Sequence, residues 1–215
     1  MPEPARAHDA VWPRRVPRSI PLPQTTLWDN LEISARRYPE RHALVSFGQG
    51  ISYAALLRQA LALAGWLQRA AGVAAGDRVL LMAQNSPQFV VAFYAIMRAG
   101  AVVVPVNPMS KADELGHYIL DPQARVAICA ADVAGQMLAA NEALAEADRL
   151  RTMLVVRYAD AMPADLHPDD RPPDAWSAWL HAEAPASPIA HAWAQALAAG
   201  LAPEALTAGP DDLMA

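Results

Sequence analysis

Cysteine is nearly absent from this 215-residue sequence, which contains Cys129 alone. A single cysteine cannot form an internal disulfide, so a disulfide-stapled secreted scaffold is excluded. Cys129 lies in the apolar run 125–130, and a thiol in such a run is typically a small buried hydrophobic side chain. These features favour a reducing, cytoplasmic setting.

Long hydrophobic runs are also scarce. The longest candidate, residues 90–106, is interrupted by Arg98, Gly100 and Pro105. It is shorter than the roughly 20 residues that a spanning helix needs. The N-terminus is rich in proline and arginine and lacks the apolar centre of a targeting signal. The sequence therefore predicts neither a membrane span nor a leader.

Three further kinds of site are missing. The formal net charge is −5, so no basic excess favours a nucleic-acid partner. The six histidines show no close metal-ligand spacing, so no metal site is predicted. Neither of the glycine-rich phosphate loops, GxGxxG and GxxxxGK[ST], occurs, which argues against a dinucleotide-binding fold.

In contrast, 54% of the residues are hydrophobic and 18% charged, which predicts a compact globular core.

The first 24 residues contain six prolines and predict an extended arm on the surface. Regular structure is expected from Thr25 or Thr26, either of which can cap a helix running to Tyr38. A short hairpin with strands at 42–47 and 51–53 follows, and then an Ala/Leu-rich helix over 54–71.

Residues 78–156 alternate between strands and helices. The predicted strands cover 78–83, 101–106, 125–130 and 152–156. Ser86 caps a helix that has Pro87 at its first position and ends near residue 99. Ser110 with Asp113 resembles a capping pair for a helix to residue 120, and a third helix is expected over 133–147. The strands are apolar throughout, which predicts an α/β fold with a mostly parallel sheet and helices on both faces.

The character of the sequence changes after this domain, which we place at residues 25–158. Residues 159–210 are rich in proline and tryptophan and predict a surface excursion with short helices. Residues 211–215, Asp-Asp-Leu-Met-Ala, resemble the start of another strand.

Ligands of parallel sheets bind at the carboxyl ends of the strands. The segments that follow the first three strands are 84–87, 107–110 and 131–132. Because Ser86 is explained as a helix cap, the sequence predicts no nucleophile there. Phe89, Phe93 and Tyr94 lie on one side of an apolar helix and are expected in the core.

Several pieces of the chain resemble the adenylate-forming superfamily, which includes acyl- and aryl-CoA ligases. They are Gly76-Asp77-Arg78-Val79, Asn85-Ser86-Pro87-Gln88-Phe89 and the stretch 95–108. Two earlier pieces, 27–41 and 51–56, resemble the family's opening helix and hairpin, although Ala55 stands where an acid is usual. Within the superfamily, residues 104–109 and 114–118 are most similar to bacterial long-chain fatty-acid–CoA ligases.

The resemblance implies a fragment of a cytoplasmic acid–thiol ligase that uses ATP, Mg²⁺ and CoA to activate a carboxylic acid, a fatty acid above all. The Ser/Thr/Gly-rich phosphate loop would follow residue 215, so no catalytic residue can be assigned and the fragment is expected to be inactive with nothing bound. The loop residues expected to border the substrate or CoA cleft are Asn85, Ser86, Asn107, Pro108 and Met109.

Two other hypotheses remain open at this point. A flavodoxin-like binding or regulatory module would also have a run of parallel strands, but it would not need the excursion. A non-catalytic interaction protein would use an exposed apolar face. A fragment of a larger domain would expose such a face too, so a homodimer is an expectation under two of the three hypotheses.

Overall fold

The computed structural model describes residues 10–214. Helix α1 (Leu27–Arg37) comes first, and a two-stranded antiparallel hairpin follows, with strands β1 (His42–Ser46) and β2 (Gln49–Ser52). A five-stranded parallel sheet is then built from β3 (Arg78–Met82), β4 (Val102–Pro105), β5 (Val126–Ala130), β6 (Thr152–Val156) and β7 (Ala190–Ala192). The predicted fold class is confirmed.

Six further helices connect these strands or flank them. They are α2 (Tyr53–Arg69), α3 (Pro87–Arg98), α4 (Ala112–Leu120), α5 (Ala131–Glu142), α6 (Ser177–Leu180) and α7 (Trp193–Ala198). None of the helices in residues 10–214 has the length and apolar character that crossing a bilayer requires.

Side-chain caps fix where the first three helices begin. Thr26 and Asp29 form a reciprocal capping box at α1. The Ser52 hydroxyl accepts the backbone N–H of Ala55 at α2, and the Ser86 hydroxyl accepts that of Phe89 at 3.1 Å. Each cap satisfies an N–H group that has no partner within the helix. The predictions for Thr26 and Ser86 are confirmed.

The predicted pairing of Ser110 with Asp113 at α4 is wrong. The N-cap is Lys111, and its backbone N–H donates to the Glu114 carboxylate at 3.0 Å. The N–H of Ser110 instead donates to the carbonyl of Asn107. This turn keeps residue 110 out of the helix, so the capping pair lies one residue later.

The strand order β4-β3-β5-β6-β7 is that of flavodoxin-type doubly wound sheets. One face, with Leu81 and Ile128, packs on α1, α2, α3 and α7. The other, with Met82 and Cys129, packs on α4, α5 and α6. Alternate residues of each strand point to opposite faces, so both faces are buried. Phe89, Phe93 and Tyr94 pack against the first face as predicted.

Helix α2 also holds a distant segment, residues 201–204. The Gln68 side-chain amide donates to the carbonyl of Ala99 at 3.2 Å, and its oxygen accepts the N–H of Glu204 at 2.8 Å. Arg69 donates to the carbonyl of Ala202 at 2.8 Å. At Gly65, an added Cβ would lie 2.0 Å from the carbonyl oxygen of Leu201. The contact therefore requires glycine.

Three segments lie outside this framework. Residues 1–9 of the predicted arm are outside the described residues, and residues 10–24 are irregular and almost entirely exposed. The predicted excursion, 159–210, also contains β7 and α7, so the name excursion is kept for residues 158–189, which contain only short 3₁₀ turns and α6. Residues 211–214 form no assigned strand, although the Met214 carbonyl accepts the N–H of Val103 in β4 at 2.9 Å.

Candidate functional site

A crevice of about 540 Å³ opens at the carboxyl ends of β3, β5 and β6. The chain leaves β3 toward β4 on one side, whereas β5 lies on the other side. Such a divergence is the topological switch point at which doubly wound sheets bind ligands. The volume lies within the range of small-molecule sites.

Five segments line the crevice. The hairpin turn contributes Ser46 and Phe47, the β3–α3 connection contributes residues 84–88, and the start of α5 contributes Asp132. Tyr158 comes from the start of the excursion, just after β6, and a later part of the excursion contributes Trp176, Trp179 and Leu180. A site assembled from segments so far apart in sequence depends on the whole sheet.

The β3–α3 connection is held by hydrogen bonds to the chain after β6. The backbone N–H of Gln84 donates to the Tyr158 hydroxyl at 2.6 Å. The side chain of Gln88, which is 4% exposed, donates from Nε2 to the carbonyl of Arg157 at 3.0 Å. Its Oε1 atom has no hydrogen-bond partner in residues 10–214. A buried acceptor without a partner costs stability.

Aromatic rings form much of the wall. The rings of Tyr158 and Trp179 meet edge to face at 5.1 Å between centroids, and those of Trp176 and Trp179 are tilted at 5.7 Å. Phe47 has a φ of +48° in the hairpin turn, and Gly48 next to it has +72°. Positive φ is unfavourable for a bulky side chain, so the turn places this ring at the crevice at a cost in backbone strain.

Two titratable groups of the crevice are perturbed. Partial burial raises the pKa of the Asp132 carboxyl, and hydrogen bonds from the backbone N–H groups of residues 132 and 133 oppose the shift. Burial also raises the pKa of the Tyr158 phenol, against the hydrogen bond from Gln84. Tyr158 is therefore a neutral phenol at physiological pH.

No nucleophile or metal centre emerges from the described part of the chain. The Ser86 hydroxyl is bonded as a cap, and burial raises the pKa of the Cys129 thiol well above its ordinary value. Residues 10–214 contain no group of three potential metal ligands.

The structure separates the predicted site residues into two groups. Asn85 and Ser86 line the crevice, whereas Asn107, Pro108 and Met109 do not. The Asn107 side chain accepts the backbone N–H of Met109 at 3.0 Å, and the Met109 side chain is 75% exposed. Strand β4, which precedes these three residues, is an edge strand of the five-stranded sheet. The two predicted loops therefore do not share one pocket.

Sequence reasoning missed Phe47, Tyr158, Trp176 and Trp179 as crevice residues. Asp132 was recognised as following the third predicted strand, and its position at the strand end was the available signal. Tyr158 follows the predicted strand 152–156, so its position at a strand end was also an available signal. Phe47, Trp176 and Trp179 lie away from the strand ends of the parallel sheet, where position in the sequence carries no such signal.

A doubly wound α/β sheet with a ligand-sized crevice at its switch point defines a class of small-molecule-binding domains. The family model described as "AMP-binding enzyme" matches residues 31–213. The chain therefore belongs to the AMP-binding enzyme family, as the sequence motifs predicted.

Curated relatives agree with this assignment. A long-chain-fatty-acid–CoA ligase of Bacillus subtilis is 38% identical over 55% of this chain and 21% of its own length. One from Salmonella typhimurium is 31% identical over 71% of this chain and 27% of its own length. A salicyl-AMP ligase of Mycobacterium tuberculosis is 38% identical over 60% of this chain and 24% of its own length. The chain thus spans about a quarter of these relatives.

Solved structures show the same fold. A fatty acyl CoA synthetase of Mycobacterium tuberculosis matches with a TM-score of 0.56 and 27% identity, over 66% of this chain and 30% of that one. A benzoate CoA ligase from Burkholderia xenovorans matches with a TM-score of 0.64 over 87% of this chain and 31% of that one. At 18% identity, the second match supports the fold alone.

Proposed function

We propose that the whole protein to which this chain belongs is an ATP-dependent carboxylate–CoA ligase, and that its acid is a fatty acid. The observation that carries this proposal is the family match over residues 31–213, together with fatty-acid–CoA ligases among the curated relatives. The carboxylate attacks the α-phosphorus of ATP, pyrophosphate leaves, and an acyl-adenylate forms. The CoA thiol then attacks the acyl carbonyl, and AMP leaves.

The residues of this chain do not fit a site for Mg-ATP. Asp132 places a negative charge in the crevice, and no described cluster of carboxylates could hold a metal. We therefore assign no catalytic step to the described residues. In this proposal the chain supplies the scaffold and a border of the substrate or CoA cleft, with the border residues Asn85, Ser86, Asn107, Pro108 and Met109.

The test compares the 215-residue chain with the product of the complete reading frame. The longer protein should show pyrophosphate–ATP exchange that depends on an added fatty acid, and it should form the thioester when CoA is supplied. The 215-residue chain should show neither activity. Exchange by the short chain would overturn the expectation of inactivity. A longer protein that exchanges with no carboxylate at all would overturn the ligase proposal.

Two accompanying proposals concern the setting of the enzyme. We infer that it works in the cytoplasm, where ATP and CoA are available, and that it forms a homodimer. Exposed apolar side chains such as Met109 and Leu213 support self-association. Sedimentation equilibrium of the longer protein should give twice the monomer mass. A monomer at micromolar concentration would contradict the dimer.

A flavodoxin-like binding module is the second candidate, because the strand order of the sheet matches that class. This candidate predicts ligand binding without adenylation in any length of the protein. The exchange assay on the longer protein therefore separates the two.

A further inference from the structure

The crevice has one charged lining side chain among the described residues, that of Asp132. Asp132 has no ion-pair partner in residues 10–214. The nearby Arg157 guanidinium cannot serve, because it pairs with Glu183 at 3.0 Å and faces Asp160 at 3.8 Å. The crevice therefore carries an uncompensated negative charge.

An anion is disfavoured at this switch point although two helices begin there. Pro87 at the first position of α3 has no N–H, and the N–H of Phe89 is bonded to Ser86. The N–H of Gln84 is bonded to Tyr158. At α5 the Asp132 carboxylate itself lies in the first turn. Two of the backbone donors near the crevice, those of Gln84 and Phe89, are thus already bonded, and α5 begins beside a carboxylate.

The wall suits a cation instead. Four aromatic side chains line the crevice, those of Phe47, Tyr158, Trp176 and Trp179. Aromatic faces attract organic cations, and tryptophan does so most strongly.

The excursion adds negative charge to the same side of the molecule. Its residues 158–189 contain six acidic side chains and one arginine, a formal charge of −5, which equals the net charge of the whole chain. The other residues are neutral in sum. Two of the six acidic side chains, those of Asp160 and Glu183, face Arg157 just before the excursion. The remaining negative charge raises the local concentration of cations around this segment.

We propose that the switch-point crevice is a binding site for a small organic ammonium ion, held by the Asp132 carboxylate and the aromatic wall. The test of this site requires no adenylation.

The probes are tetramethylammonium, choline and butylammonium, titrated into the 215-residue chain by calorimetry. The matched neutral probe is 3,3-dimethylbutan-1-ol, which has the shape of choline without its charge. At least one ammonium ion should bind with a Kd on the order of 1 mM or tighter. The alcohol should bind at least about tenfold more weakly than choline. Equal binding of the alcohol, or no ammonium binding up to roughly 10 mM, would overturn the proposal.

Two aspartates provide a matched pair of variants. Asp132 and Asp113 both occupy the second position of a helix, in α5 and α4, but only Asp132 lines the crevice. Asp132→Asn should weaken ammonium binding by about tenfold or more, and Asp113→Asn should leave it unchanged. Unchanged binding in Asp132→Asn rules the proposal out.

A second pair of variants guards against misfolding of Asp132→Asn. Phe47→Asn suits the positive φ of the turn and should fold at least as well as the parent chain while it binds ammonium ions more weakly. Trp176→Ala removes a side chain that is 44% exposed, so this variant should still fold and should also bind ammonium ions more weakly. If both variants fold and retain full affinity, the aromatic wall is not a cation site.

Discussion

The central strands and the excursion are held in place by different interactions. Strands β5 and β6 are buried along their whole length and contain no charged side chain. The excursion carries a formal charge of −5, is mostly exposed and is anchored by few buried residues, among them Tyr158 and Leu180. Apolar burial determines the position of the strands, whereas prolines, short turns and a few anchors determine the path of the excursion.

The largest expected effect sharpens this contrast. Ile128→Ala removes a side chain with 0% exposure at the centre of the sheet and should lower the free energy of unfolding by about 2–5 kcal/mol. Trp176→Ala in the excursion should lower it by less than about 1 kcal/mol, because the ring is already half in water. Urea denaturation of both variants measures the difference. Equal losses would show that the excursion is part of the core.

A pair of helical glycines gives effects of intermediate size and opposite sign. Gly65→Ala in α2 must push away the backbone of residues 201–202, so we expect a loss of about 1–3 kcal/mol in the free energy of unfolding. Gly135→Ala in α5 meets no atom within 4 Å. It should raise that free energy by up to about 1 kcal/mol through helix propensity. Thermal unfolding of both variants measures these changes. Destabilisation by Gly135→Ala would contradict the open space found around Gly135 in α5.

The smallest effect concerns the crevice charge. Because partial burial raises the pKa of Asp132, the folded chain favours the protonated carboxyl. The stability that the protonated Asp132 carboxyl contributes to the folded chain is present at low pH and is lost as the pH rises through the raised pKa. Asp132→Asn should therefore stabilise the chain slightly at pH 7, by about a few tenths of a kcal/mol after solvent screening.

The comparison of pH 7 with pH 3 is the measurement, since the advantage of the variant should disappear at the lower pH. Asp113→Asn, at the same helix position in α4 but outside the crevice, is the control. A greater advantage of Asp132→Asn at pH 3 than at pH 7 would reverse the sign and contradict the burial argument.

Much of the framework could be predicted from periodicity and caps. The strands β3 to β6 and the start of α3 follow from apolar runs and from Ser86-Pro87. Strand β7 was missed, because Ala190–Ala192 is three residues long and has no β-branched side chain. Its pairing with Met153 and Val155 in β6 forms only in the folded sheet.

The residues of the crevice could likewise be predicted from the sequence only in part. Asn85 was found because it follows a strand. Phe47 was predicted to end a strand, and the structure places it in the turn with positive φ. That conformation would be expected of asparagine or glycine, so the residue type gives the wrong signal. Trp176 and Trp179 reach the crevice only because the excursion folds back on β6 and α5.

The bond between Gln68 and Glu204 has a consequence for synthesis of the chain. Its two residues are separated by 136 positions, and ribosomes add roughly 5–20 residues per second. Helix α2 therefore waits roughly 7–27 s for the segment that covers it. During that interval Gly65 and the apolar surface beside it are exposed to solvent. A chaperone could bind this surface until residues 201–204 are synthesised and cover it.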